Sequence, residues 1–119
     1  MSLPDGVNAV YSVQDREGSI IGYCVDVDSY GYGSDPINLL VGLDSDGRAV
    51  AVKVLSHSET PGVGSKATAS SFLSQFEGKS GILAVKKDGG EIDAVAGATI
   101  SSRAITAGVS LALSLGLGS

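Results

Sequence analysis

Sulfur and imidazole ligands are scarce in this chain of 119 residues. It has one cysteine, Cys24, and one histidine, His57. A single cysteine cannot form a disulfide within the chain, so cysteine usage does not assign a redox compartment. A structural zinc site takes four ligands that are mostly Cys and His, and one residue of each type excludes it. We therefore predict no metal site.

Positive charge and long apolar runs are also in short supply. The net charge is −5, and the eight Lys and Arg residues form no cluster. A nucleic-acid partner is therefore not expected, because phosphate binding needs grouped basic side chains. No uninterrupted apolar run reaches the roughly 18 residues that a membrane-spanning helix needs. The run at 100–117 comes nearest, but an arginine and several hydroxyl side chains interrupt it.

The rest of the composition is that of a folded domain. Apolar residues make up 43% of the chain and charged residues 18%, which argues against disorder. The length suits one domain with its own core. The first residues are typical of a leader placed ahead of a fragment, so we assign 1–6 to that leader and to the start of the fragment. Residues 7–119 are assigned to one domain.

Alternating apolar residues predict an antiparallel meander in the first half of the chain. The first three strands are predicted at 7–13, 20–27 and 37–43. The dipeptide Asp46 and Gly47 is a strong tight-turn signal, so a fourth strand should pair with the third. In the fourth strand, the apolar face that matches the apolar face of the third is predicted to consist of Val50, Val52 and Val54.

The second half of the chain predicts two helices. Phe72, Leu73 and Phe76 have helical spacing, and Gly78 is a stop signal. A short strand is expected at 82–85, followed by a polar turn at 87–90. The last helix should begin after Thr99, with one face made of Ile105, Val109, Ala112 and Leu113. The predicted fold is a single α+β domain, an antiparallel sheet covered by two helices.

Three glycine-bearing stretches fit neither period, at 29–36, 58–66 and 94–102. Each taken alone is compatible with a plain turn, since Gly, Ser, Pro and Asp favour loops for backbone reasons. Residues 62–66, GVGSK, resemble the end of a phosphate-binding P-loop, but the first glycine of that motif is missing. A catalytic triad around His57 has no nucleophile elbow to support it.

Two of these stretches resemble motifs of FMN-binding domains. Residues 93–99, DAVAGAT, resemble the flavinylation motif Asp-x-x-(Ser/Thr)-Gly-Ala-Thr, with Ala96 where the family has Ser or Thr. Residues 59–64, ETPGVG, resemble the Glu-Thr-Pro-Gly-Leu-Gly element of the same domains. The chain is similar to the G subunit of the Rnf electron-transport complex, and more distantly to the C subunit of the sodium-pumping NADH:quinone reductase. The resemblance covers residues 7–110.

The resemblance implies covalent FMN on Thr99. In this family a magnesium-dependent flavin transferase uses FAD to esterify the threonine hydroxyl with the FMN phosphate. Gly97 and Ala98 would leave room for the phosphoryl group, and N–H groups at the helix start would meet its oxygens. Ser101 and Ser102 would add hydroxyl donors. Asp93 would be recognised by the flavin transferase.

The isoalloxazine ring is expected against the other two glycine stretches. The resemblance implies that one wall consists of Glu59, Thr60, Gly62, Val63 and Gly64. From the first glycine stretch, Tyr32 and Ser34 are candidate contacts. Tyr32 either stacks on the ring or packs at the edge of the core.

The implied function is an electron relay in a membrane complex that couples ferredoxin or NADH oxidation to ion transport. The domain would be a redox subunit rather than a stand-alone enzyme. It would lie at the extracytoplasmic, periplasmic face of the cell membrane, on an anchor outside this chain. Two alternatives stay open: the FMN-carrying domain of another extracytoplasmic reductase or regulator, and a binding module that carries no covalent flavin.

Overall fold

A four-stranded antiparallel sheet forms one layer of the protein. The computed structural model describes residues 3–30, 36–56, 70–81 and 83–117. Neighbouring strands pair in chain order, as the sequence predicts. The strands are β1 (Val7–Gln14), β2 (Ile20–Ser29), β3 (Ile37–Asp44) and β4 (Ala49–Ser56).

The core side of the sheet follows the predicted alternation most closely on β3. Ile37, Leu39 and Val41 are fully buried, and the residues between them are only partly covered. Their partners Val25 and Val27 on β2 are buried as well. Burial of each such side chain contributes about 1.5–3 kcal/mol, so this central pair of strands carries much of the core.

The predicted inner face of β4 is wrong at its first residue. Val50 is 50% exposed, whereas Ala49 is buried and pairs with Leu43. The cause is an irregular register between Gly42 and Leu43, which shifts the alternation by one residue at this end of the strand. Val52 still pairs with Val41 on the core side, as predicted.

The first helical segment changes from α-helix to a 3-10 turn before its predicted end at Gly78. Helix α1 (Ser70–Leu73) passes directly into a 3-10 turn (Ser74–Phe76). Phe72 and Phe76 are buried and pack edge to face, with ring centroids 5.5 Å apart. Gly78 follows with a positive φ of 80°, in agreement with the predicted stop.

The short strand predicted at 82–85 does not form in the described residues of that stretch. Ile82 lies outside the described residues, and Val85 makes only a single parallel bridge, to Ile92. The chain enters a 3-10 turn (Lys86–Asp88) directly after Val85, so there is no room for a longer ladder. That turn confirms the polar turn predicted at this place.

Helix α2 (Thr99–Leu113) forms the second layer, against β2 and β3. Its predicted face is buried, with Ile105 and Val109 fully covered. Gly108 allows close packing, because a Cβ there would lie 2.8 Å from Leu39 Cδ1. The predicted α+β fold is confirmed. Within the part of the chain that the structure describes, no helix has the length and apolarity needed to cross a membrane.

Candidate functional site

A tight turn of small residues delivers Thr99 to the start of α2. The Ala98 N–H donates to the Val95 carbonyl at 2.9 Å and closes a turn at 95–98. Gly97 occupies the third position with φ of 80°, the value that a type II turn requires there. The turn is closed by backbone alone, and the side chain of Ala96 is exposed. We call residues 93–98 the small-residue loop.

Ser102 fixes this turn to the first turn of α2. Its buried hydroxyl accepts the Val95 N–H at 3.0 Å and donates its proton to the Ala98 carbonyl at 2.8 Å. Ser101 is fully buried too. The Ser102 proton is therefore used inside the protein. The predicted contact of these two serines with a bound group stays a prediction.

The start of α2 is open. Among the described residues, no side chain caps the helix at Ala98, and its first turn carries no acidic residue. Thr99 is half-buried, and Ile100 is 43% exposed. No described atom lies within 4 Å of the position that a Cβ on Gly97 would take, apart from those of its chain neighbours. A polar group of some size can therefore approach the helix start.

Asp93, at the head of the small-residue loop, is held through its peptide groups. Its N–H donates to Gln75 Oε1 at 2.7 Å, and its carbonyl accepts from Gln75 Nε2 at 2.9 Å. Its carboxylate forms an exposed ion pair with Lys86, with an N···O distance of 2.8 Å. The sequence does not predict this role of Gln75, because its partner lies 18 residues away and no motif contains it.

The 3-10 turn at Lys86–Asp88 connects the loop to the helix. Lys86 pairs with Asp93, and Asp88 accepts two hydrogen bonds from the Arg103 guanidinium, at 2.9 and 2.8 Å. Arg103 lies one turn after Thr99 on α2, so residues 99 and 103 share a face. Both ion pairs are about half exposed or more, and each contributes at most about 1 kcal/mol.

The other predicted contacts lie outside the described residues. These are Tyr32 and Ser34 of the first glycine stretch, and Glu59, Thr60, Gly62, Val63 and Gly64 of the second. The chain re-enters the described structure at Ser70, five residues before Gln75. The ring-binding role of these residues stays a prediction.

Residues 31–114 match the FMN-binding domain family. The chain belongs to this family, which confirms the resemblance seen in the sequence and FMN as the cofactor. The match includes the turn at 95–98 and the whole of α2, which begins at Thr99.

Curated relatives carry names that agree with this family. The chain is 43% identical over 116 residues to the G subunit of the ion-translocating oxidoreductase complex of Stutzerimonas stutzeri, which is 91% of this chain and 50% of the relative. It is 43% identical over 103 residues to the G subunit of the proton-translocating ferredoxin:NAD(+) oxidoreductase complex of Clostridium ljungdahlii, covering 83% of this chain and 55% of the relative. It is 38% identical over 97 residues to the G subunit of the ion-translocating oxidoreductase complex of Methanosarcina acetivorans, covering 80% of this chain and 51% of the relative. The chain thus spans about half the length of these relatives.

Proposed function

We propose that this chain carries FMN as a phosphoester on Thr99 and serves as the flavin domain of an ion-translocating oxidoreductase complex. The observation that carries the proposal is the position of Thr99. This residue opens an uncapped helix directly behind a turn of small residues, with space in front of Gly97. This is a position at which a hydroxyl can be reached by a large phosphorylated substrate.

The helix start suits a phosphate diester. The first N–H groups of an α-helix have no acceptor within the helix, and those of Thr99 and Ile100 lie beside the proposed linkage. No capping side chain or acidic residue of the first turn competes for them in the described structure. The helix dipole adds about 0.3–1 kcal/mol for an anion at this end. These features fit the phosphate of FMN.

The attachment step is a phosphoryl transfer in which all atoms are accounted for. The Thr99 Oγ forms a bond to the phosphorus on the FMN side of FAD. The pyrophosphate bond breaks, AMP leaves, and the hydroxyl proton departs with the products. A magnesium-dependent flavin transferase would supply the metal and the catalytic base, so the chain itself needs to present only the hydroxyl.

Ala96 does not disturb this presentation. The family pattern has a hydroxyl residue at this position, yet the turn here is closed by the bond from the Ala98 N–H to the Val95 carbonyl. The side chain at 96 is exposed and closes nothing. We infer that a transferase that reads the backbone shape and Asp93 accepts Thr99 in this sequence.

When bound, FMN supplies the redox chemistry, and the protein sets its position and surroundings. We propose that Tyr32, Ser34 and residues 59–64 contact the isoalloxazine ring, on the strength of their resemblance to the family pattern. Val63 would pack on the ring face, and backbone groups of Gly62 and Gly64 would approach its edge. Thr99 would then serve attachment alone.

The role in a complex rests on the relatives. Their names describe subunits of ion-translocating oxidoreductases, one of them coupling ferredoxin and NAD(+). We propose that this domain relays electrons between other subunits of such a complex. We further propose that it lies on the extracytoplasmic side of the cell membrane and is anchored there in a longer protein. The flavin transferase is a transient partner during maturation.

Mass spectrometry of the chain coexpressed with the flavin transferase tests the attachment. The wild-type chain should gain one FMN minus one water. Thr99→Val, which removes the hydroxyl at nearly constant volume, should gain nothing, and Thr99→Ser should regain the adduct. A full adduct on Thr99→Val would overturn the assignment. FMN that is released from the wild-type chain by denaturation would instead identify a domain with noncovalent flavin.

A further inference from the structure

The start of the small-residue loop lies between two neighbouring segments. On one side, the Ile92 N–H donates to the Ala84 carbonyl at 3.1 Å, and the Lys86 N–H donates to the Ile92 carbonyl at 2.9 Å. In extended backbone, the peptide groups of successive residues point to opposite sides. The peptide groups of Asp93 therefore face the other way, toward Gln75.

Gln75 meets both of these groups at once. Its Oε1 accepts the Asp93 N–H at 2.7 Å, and its Nε2 donates to the Asp93 carbonyl at 2.9 Å. Among uncharged side chains, only a carboxamide offers a donor and an acceptor side by side. The Gln75 side chain thus supplies the same pair of hydrogen bonds that a residue of a neighbouring strand would supply. Glutamate would keep the acceptor only, and methionine would keep neither.

Both partners of this contact are anchored in the core. Phe76, next to Gln75, is fully buried, and Ile92, next to Asp93, is fully buried as well. The two hydrogen bonds therefore connect points that have little freedom to shift. At its other end, the small-residue loop is held by the Ser102 hydroxyl, which accepts from the Val95 N–H and donates to the Ala98 carbonyl. Ala96 and Gly97, between Val95 and Ala98, are exposed.

We propose that Gln75 is a positioning residue for flavin attachment: it fixes the Asp93 end of the small-residue loop and thereby the presentation of Thr99 to the flavin transferase. The inference rests on the proposed function of Thr99. Transfer to a hydroxyl depends on a reactive geometry held at close range, so a loop with one free end reacts more slowly even when the domain stays folded.

The same two segments are joined a second time, which provides a matched control. Lys79 Nζ lies 3.2 Å from Glu91 Oε2. Lys79 is three residues after the 3-10 turn that contains Gln75, and Glu91 is two residues before Asp93. Lys79→Met removes this tether without touching the peptide groups of Asp93. If the segments only need to be tethered, Lys79→Met and Gln75→Met should have similar effects. If Asp93 must be oriented, only Gln75→Met should slow attachment.

The experiment compares Gln75→Met, Gln75→Glu and Lys79→Met in the full 119-residue chain. Each variant is incubated with flavin transferase, FAD and Mg²⁺, and kcat/KM for FMN attachment is measured. We expect Gln75→Met to lower kcat/KM about tenfold, the effect of losing the net free energy of one or two hydrogen bonds. Lys79→Met should stay within about twofold, as expected for an exposed ion pair.

Amide hydrogen exchange gives a readout that does not depend on flavin. The Asp93 amide should exchange slowly in the wild type and in Gln75→Glu, which keeps the acceptor, and fast in Gln75→Met. Gln75→Glu should restore part of the attachment rate as well. A thermal melt of each variant confirms that it is folded. Attachment rates are then compared at equal folded fractions, which removes any effect of global unfolding.

Three results would overturn the inference. The first is an unchanged kcat/KM for Gln75→Met, with Thr99 still modified, which would leave the proposed function intact. The second is an equal loss in Lys79→Met, which would reduce Gln75 to an ordinary tether. The third is a wild-type chain that takes up no FMN at Thr99, which would remove the proposed function and this inference with it.

Discussion

Replacing Ser102 with alanine tests how the turn before Thr99 is held. The Ser102 hydroxyl is fully buried and makes two bonds, from the Val95 N–H and to the Ala98 carbonyl. The Ala98 carbonyl keeps a second donor in the variant, the Ser102 N–H at 2.9 Å. The Val95 N–H loses its acceptor. The cost of Ser102→Ala therefore falls mainly on one partly buried peptide group.

The size of the effect follows from this account. Leaving a buried donor unpaired costs about 1–3 kcal/mol, and partial exposure of Val95 puts the value at about 1–2 kcal/mol. Alanine is the better helix former, which returns about 0.5 kcal/mol. The expected net loss of unfolding free energy is about 0.5–1.5 kcal/mol. For a domain of this size, about 4 °C of Tm per kcal/mol gives a fall of about 2–6 °C.

Thr106→Val is the matched control for this measurement. Thr106 is also buried, and its hydroxyl donates to the Ser102 carbonyl at 2.8 Å, four residues back along α2. That carbonyl also accepts the N–H of the same helical turn, so removal of the hydroxyl leaves no group unpaired. We expect Thr106→Val to change the unfolding free energy by less than about 0.5 kcal/mol.

Thermal unfolding followed by circular dichroism measures both variants, and the FMN attachment rate measures the consequence at Thr99. Ser102→Ala should lower Tm and slow attachment, while Thr106→Val should leave the attachment rate near that of the wild type. If Ser102→Ala melts within a degree or so of the wild type, the Val95 N–H does not depend on this hydroxyl. The account of how the turn is held would then be wrong.

Two further variants test the surroundings of the site. Asp93→Asn should change the unfolding free energy by less than about 1 kcal/mol, because the ion pair of Asp93 with Lys86 is exposed. The variant should nevertheless lower flavin incorporation in the mass-spectrometric assay. Failure of the variant to fold would show that Asp93 has a structural role instead. In denaturant titrations, Gly108→Val should lower the unfolding free energy by about 1–3 kcal/mol, because its Cβ would lie 2.8 Å from Leu39 Cδ1. The control Ala107→Val, at an exposed position on the same helix, should cost less than about 0.7 kcal/mol. Equal losses would contradict the packing of α2 on β3.

The sheet and α2 were predictable because their patterns are long and regular. Four alternating residues on β3 all face the core, and the face of α2 repeats over four turns. The exception on β4 is instructive. Val50 is apolar and fits the alternation expected of a core-facing residue, but a one-residue register irregularity opposite Leu43 turns it outward. Such an irregularity depends on strand pairing, which the sequence of one strand does not encode.

The geometry of the candidate site was predictable only where its residues form a contiguous motif. Thr99 and the turn residues stand together in the sequence, and the glycine at 97 has the positive φ that its residue type allows. The residues that hold the turn are of another kind. The Ser102 hydroxyl binds the Val95 peptide, and Gln75 binds a peptide group 18 residues away. Both contacts arise from packing, so no local pattern predicts them.

The proposed attachment of FMN to Thr99 places two demands on the small-residue loop that normally oppose each other. A transferase needs an exposed, unobstructed acceptor, which favours small side chains and a turn with glycine. The same residues have the least means of fixing their own conformation, because glycine and alanine offer few or no side-chain contacts. The loop is instead held from outside, through Gln75 at one end and Ser102 at the other. Because both of these side chains sit next to or within the buried core, the order of the loop is set by the packing of the domain. Thr99 can therefore be both accessible and well placed before any flavin is attached.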